Sequence, residues 1–208
     1  MALTAIALNC TLKASDGESS STDKMIGLLV SELKKQGVDF AGTIRVADYN
    51  VKPGVTSDEG EGDDWPELRR RILAADILIF GTPIWMGQPS SIAKRVTERM
   101  DAFLSETDDQ GRMPSYGKVA VVAVVGNEDG AHHVSAELFQ ALNDMGWTLP
   151  ASAVCYWVGE AMQKTDFQDL PQIPDKVSST AAMVASNAAH SAGLLRERGY
   201  PGVASTAN

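Results

Sequence analysis

Short apolar runs alternating with amphipathic helical patterns constrain this chain more than any other feature. The runs are Thr4–Leu8, Thr43–Val46, Asp76–Gly81, Lys118–Val125 and Ala151–Val158, of which Lys118-Val-Ala-Val-Val-Ala-Val-Val125 is the strongest. Helical patterns fall over Met25–Gln36, Trp65–Ala75, Ile92–Leu104, His132–Met145 and Asp175–Arg198. In the first, Ile26, Leu29, Val30 and Leu33 share one face and Gly37 follows as a C-terminal stop. The unbroken apolar character of Ile77–Phe80 is that of a parallel strand covered on both faces. Alternation of this kind predicts an α/β domain, a doubly wound parallel sheet with helices on both faces. Such sheets bind ligands beyond the carboxyl ends of their strands, which directs attention to the loops after strands one, three and four.

Composition narrows the function. A chain of 208 residues suits one domain, predicted over residues 1–198, with a flexible tail over 199–208. A formal net charge of -9 argues against nucleic acid and anionic membrane as partners. Cys10 and Cys155 have no CxxC partner, which excludes a cysteine-only cluster or zinc ribbon within one chain and suits a reducing cytoplasm. No run approaches the roughly 18–20 apolar residues of a membrane span, and no secretory signal opens the chain.

The first loop begins at Asn9-Cys-Thr-Leu-Lys13 and ends in Ser19-Ser-Ser-Thr-Asp23 directly before a helix. Hydroxyl and amide donors at a helix N-terminus, with Lys13 nearby, make an anion site, and Ser21 and Thr22 are placed both to cap the helix and to donate to the ligand. The alternative is an ordinary capped helix after a polar loop. After the third strand comes Thr82-Pro-Ile-Trp-Met-Gly-Gln-Pro-Ser-Ser91, expected as a loop; after the fourth comes Gly126-Asn-Glu-Asp-Gly-Ala131. GxxxxGK[ST] is absent, and the first strand is not followed by GxGxxG, so neither a P-loop hydrolase nor a dinucleotide-binding Rossmann domain fits. A hydroxyl-rich phosphate loop beside two glycine-punctuated loops suits FMN.

These three pieces, with Lys94 and Arg95 after the second and His132-His133 after the third, resemble the flavodoxin-like NAD(P)H-dependent FMN reductases and oxidoreductases. The resemblance implies a five-stranded parallel sheet of order 2-1-3-4-5 without antiparallel strands, one FMN per subunit, and NADPH or NADH as hydride donor. It implies that Asn9, Thr11, Lys13, Ser21 and Thr22 form the phosphate end. Pro83, Ile84, Trp85, Met86 and Gly87 would border one side of the flavin ring, and Asn127, Glu128, Asp129 and Gly130 its pyrimidine end. No side chain is expected to be catalytic, since flavin N5 carries the chemistry, and the backbone N–H groups of Met86, Gly87 and Asn127 are candidates to stabilise the reduced ring. A small-molecule electron acceptor and a homodimer or homotetramer are implied as partners, with Met86, Met113 and Trp157 as interface candidates.

Competing readings attach to particular residues. Glu128 and Asp129 are adjacent carboxylates better suited to capping a helix than to holding a metal. His132 and His133 either line the pocket or are plain polar residues at a helix start. Cys10 in an anion loop raises a phosphatase, but that chemistry needs CxxxxxR and position 16 is Asp. Arg69-Arg70-Arg71 reads as a solvated helix face, and the polar stretch 48–64 as a functional or mobile loop. At the level of the whole protein, a flavodoxin-like single-electron carrier and a cofactor-free interaction module are the alternatives to a reductase.

Overall fold

The computed structural model describes residues 2–16, 19–161 and 163–204; of the expected tail, residues 205–208 lie outside them. The elements run β1 (Thr4–Asn9), α1 (Ser21–Lys35), β2 (Asp39–Arg45), α2 (Trp65–Leu73), β3 (Ile77–Trp85), β4 (Gln88–Pro89), α3 (Ser91–Met100), β5 (Val119–Gly126), α4 (Ala131–Asp144), β6 (Val154–Val158) and α5 (Asp175–Glu197). The parallel strands stand in the order β2-β1-β3-β5-β6, the arrangement expected from the resemblance.

The two-residue period of a strand divides β5 between two cores. Val119, Val121, Ala123 and Val125 join Ile77 and Ile79 under α1 and α5. Ala120, Val122 and Val124 join Leu78 and Phe80 under α3 and α4. Both faces are therefore covered, and the continuous apolar run is what that burial requires.

One element departs from expectation. The segment after Gly81 is not a loop: β3 continues to Trp85 and folds back through β4, which pairs with it antiparallel at Ile84–Pro89 and Trp85–Gln88. The expected absence of antiparallel strands is thus corrected. Pro83 is tolerated because β1 pairing ends at Gly81, whereas β5 pairing continues to Val125, so the prolyl nitrogen lies on an open edge. The turn residues Met86 and Gly87 both have positive φ, 52° and 72°, as a tight two-residue hairpin demands.

The 48–64 stretch is ordered around a buried charge. Arg99 Nη2 lies 2.7 Å from Asp63 Oδ2, both side chains being fully buried. Arg99 also donates to the carbonyls of Thr56 and Lys52, each at 3.0 Å. Arg69 and Arg71 are likewise not merely solvated: the first pairs with Glu106 over the Phe103 ring, and the second donates to Tyr49 Oη. Beyond α5, Tyr200 sets its ring against Tyr116, centroids 5.7 Å apart, and its hydroxyl lies 2.9 Å from Thr148 Oγ1.

Candidate functional site

A cleft of about 270 Å³ opens where the carboxyl ends of the parallel strands meet the start of α1. Its first end is built by β1 and α1. Ser20, not Ser21 or Thr22, caps the helix, its Oγ accepting from Asp23 N at 3.1 Å. Ser21 and Thr22 occupy the first helical turn, where backbone N–H groups have no carbonyl within the helix and point outward at the positive end of the dipole. Thr11, Lys13, Ser20, Ser21 and Thr22 all line this end. Hydroxyl, ammonium and first-turn amide donors converging there form a set for a phosphate monoester.

Asn9 builds this end without entering it. It is fully buried, its amide donating to Ser20 Oγ at 3.2 Å and Asp23 Oδ1 at 2.6 Å while its Oδ1 accepts from Thr11 N at 3.0 Å. Arg45 pairs with Asp23 and offsets that carboxylate beside the anion site. Ser15 donates through Oγ and N to Asp48, which holds the Asp48 carboxyl below its usual range and pins the loop to the turn after β2.

The second end is a flat slot. Pro83, Ile84 and Trp85 form one wall, Val125, Gly126 and Asn127 the next, and Trp157 and Phe167 close a third side. Gly126 lets its strand pack directly against Ile84, since a Cβ there would lie 2.9 Å from Ile84 Cβ. Gly81 has the matching role at the helix, where a Cβ would meet Thr22 Cγ2 at 2.9 Å. Trp85 is 53% exposed and also borders a groove between α3 and α4.

The remaining expected residues are held just outside the cleft. Met86 projects its side chain outward at 88% exposure, and its N–H donates to Glu128 Oε1 at 2.9 Å. That amide is engaged by Glu128 in this structure. Gly130 meets Gly87 so closely that a Cβ would lie 2.8 Å from Gly87 Cα. Asp129 accepts from Gly130 N at 2.7 Å at the start of α4. Glu128 with Met86, and Gly130 with Gly87, thus hold the two loops together.

Neither histidine lines the cleft. His132 Nε2 lies 3.0 Å from Tyr156 Oη, and His133 pairs with Glu137 on the exposed face of α4. Cys10 is fully buried with its thiol pushed up by that burial, which removes the nucleophilic thiolate a phosphatase would need. Trp157 lies in the cleft, whereas an oligomer interface was expected for it.

Sequence reasoning missed Ser20, Asp166, Phe167 and Gln168. The last three come from the irregular segment between β6 and α5, where the apolar Phe167 within a polar stretch is the sole local signal. The donor set at one end and the apolar, partly aromatic walls at the other fit the phosphate and the flat ring of FMN.

A family model described as NADPH-dependent FMN reductase matches residues 6–162, and the chain belongs to that family. It is 38% identical over 163 residues to the divalent metal cation transporter MntH of Mycobacterium bovis, covering 76% of this chain and 24% of that protein. It is 35% identical over 170 residues to 8-demethyl-8-aminoriboflavin-5′-phosphate synthase of Streptomyces davaonensis, covering 77% of this chain and 65% of the other. The chain therefore spans about a quarter of the first relative and just under two thirds of the second. Its fold is shared with RosB, solved with the bound intermediate 8-demethyl-8-formylriboflavin-5′-phosphate, at a TM-score of 0.82 and 29% identity over 96% of this chain and 82% of that one. Among the described residues no helix is long and apolar enough to cross a membrane.

Proposed function

We propose that this protein binds FMN in the cleft and acts as an oxidoreductase that uses NADPH or NADH to reduce a small-molecule acceptor such as a flavin or quinone. The observation that carries the reading is one cleft that joins the hydroxyl, ammonium and amide donors at the α1 N-terminus to apolar and aromatic walls from β3, β5 and Trp157. FMN bound there supplies the chemistry, taking a hydride equivalent from reduced nicotinamide and returning electrons to the acceptor.

The chain's own contribution is binding and access. Lys13, Thr11 and the first turn of α1 anchor the phosphate. Pro83, Ile84, Gly126 and Asn127 hold the ring and exclude water from it. Half-exposed Trp85 leaves one rim open, beside the α3–α4 groove, for a second substrate. A cytoplasmic setting and a homodimer or homotetramer belong to the same reading; two buried free thiols support the first, and the exposed Leu12 and Trp85 along that groove support the second.

The test is anaerobic addition of NADPH or NADH to FMN-loaded protein. Bleaching of the flavin band, restored by quinone or free flavin, is the expected result. A band that persists with both nucleotides overturns the reductase and favours a single-electron carrier. The 35% identity to an enzyme named for synthesis of a modified riboflavin phosphate favours a second reading, in which the flavin phosphate is itself the compound transformed. Mass spectrometry of the flavin recovered after turnover separates the two, because a resident cofactor returns with its mass unchanged.

A further inference from the structure

Residues 166–168, between β6 and α5, lie along the cleft as a strap fixed at both ends. At one end Gln168 N donates to Ser21 Oγ at 3.1 Å. Lys24 Nζ reinforces that end by donating to the carbonyls of Gln168 and Leu170 at 3.1 and 2.9 Å. At the other end Asp166 Oδ1 accepts from Asn127 Nδ2 at 3.0 Å, which ties the strap to the loop after β5. Between them Phe167 is fully buried, its ring centroid 5.5 Å from that of Trp157. The strap thus passes from the anion donors of α1 to the flat slot, and Asp166 is the one carboxylate among the described residues that line the cleft.

A carboxylate in an anion-binding cleft needs an explanation. It only accepts hydrogen bonds and has room for several, of which Asn127 takes one. Facing the phosphate it would weaken binding by repulsion. Its bond to Asn127 instead places it toward the slot, while Gln168, two residues on, occupies the phosphate end. The part of FMN that carries several donors between phosphate and ring is the hydroxyl-bearing chain joining them. We propose that Asp166 accepts hydrogen bonds from that chain, so that the strap selects flavin phosphates with a polyol linker. The inference rests on the cleft being an FMN site and adds to that reading a residue and a chemical basis for choosing among flavin phosphates.

A hydrogen bond to an ionised acceptor is expected to change affinity by about 10- to 100-fold. The experiment titrates full-length protein with FMN and with a flavin phosphate whose linker is a plain alkyl chain, for the natural protein, Asp166→Ala and Asp166→Asn. The natural protein is expected to prefer FMN by about 10-fold or more. Asp166→Ala should abolish that preference by weakening FMN alone, leaving the alkyl-linked compound within about twofold, and Asp166→Asn should fall between. Thermal melting reports whether each variant folds, and Asp166→Asn carries the test where Asp166→Ala does not. Equal loss for both ligands would make Asp166 merely structural and overturn the proposal, as would equal binding of the two ligands by the natural protein. Failure of the natural protein to bind either ligand would instead remove the FMN site, and this inference with it.

Discussion

Replacing Gly130 by Ala strikes the contact that holds the two slot-bearing loops together. The residue has φ +129°, a region L-residues rarely adopt, and a Cβ there would lie 2.8, 2.9 and 3.1 Å from Gly87 Cα, O and C. These are backbone atoms, so no side chain can swing aside. Strained backbone costs about 1–3 kcal/mol. Relieving a 2.8 Å approach to the 3.5–4.0 Å of ordinary carbon contact moves the loops apart by about 0.7–1.2 Å. At about 2–4 °C per kcal/mol for a chain of this size, and with the added loop strain, melting should fall by about 5–15 °C. A gap of that order forfeits a quarter to a half of the dispersion between a flat ring and its wall. On a wall worth about 2–3 kcal/mol that is about 1 kcal/mol, or a roughly 5- to 10-fold weaker FMN Kd. Gly117→Ala is the control: its φ is +80°, but nothing lies within 4 Å of the added Cβ. It should cost about 1 kcal/mol of stability through strain and leave FMN affinity unchanged. Calorimetry for melting and fluorescence titration for FMN read both variants. If Gly130→Ala melts early yet binds FMN like the natural protein, the clamp does not shape the slot and the reasoning fails.

Four further outcomes follow from the same geometry. Lys13→Ala should weaken FMN by about 10-fold while leaving riboflavin, which lacks the phosphate, unaffected; equal loss for both would deny Lys13 its anion contact. Asp63→Ala leaves the Arg99 charge buried and removes the acceptor for the N–H groups of Lys52, Glu59 and Trp65, so urea melts should show a loss of about 3–5 kcal/mol. Burial alone would raise the Asp63 carboxyl, but Arg99 and those three donors outweigh it and hold the group well below its ordinary range. Its stabilising contribution is therefore complete above about pH 5 and lost as pH falls, so the stability gap between the natural protein and Asp63→Asn should narrow steadily below that point. Cys10, buried with its thiol pushed up, should resist iodoacetamide at pH 8 until the protein is unfolded; rapid native-state alkylation would contradict its placement.

The centre of the sheet was legible because β1, β3 and β5, buried on both faces, need unbroken apolar runs, whereas the edge strand β2 is exposed or half-buried along most of its length and shows only a short mixed stretch. The start of α1 was less so. Ser19, Ser20, Ser21 and Thr22 are all capable caps, and only the packing that buries Asn9 beside Ser20 chooses among them. Pro83 reads as a strand breaker unless one knows that β1 stops pairing at Gly81, and Met86 gives no local sign of the left-handed turn it adopts. Order in the 48–64 stretch depends on Arg99, a residue on a helix far along the chain whose burial no local pattern reveals. The strap was least legible of all: Gln168 reaches Ser21 across 147 residues, a purely tertiary placement. The donor cluster was readable because it falls at one helix start, whereas the third side of the cleft is assembled from distant pieces.

The central claim is that the cleft at the carboxyl ends of β1, β3 and β5 holds FMN by its phosphate. Equilibrium titration of the purified protein with FMN and, in parallel, riboflavin tests it most directly. The account predicts one FMN per chain, bound at least about 10-fold more tightly than riboflavin because the anion donors of α1 engage only the former. Absence of FMN binding, or equal affinity for the two flavins, would contradict it.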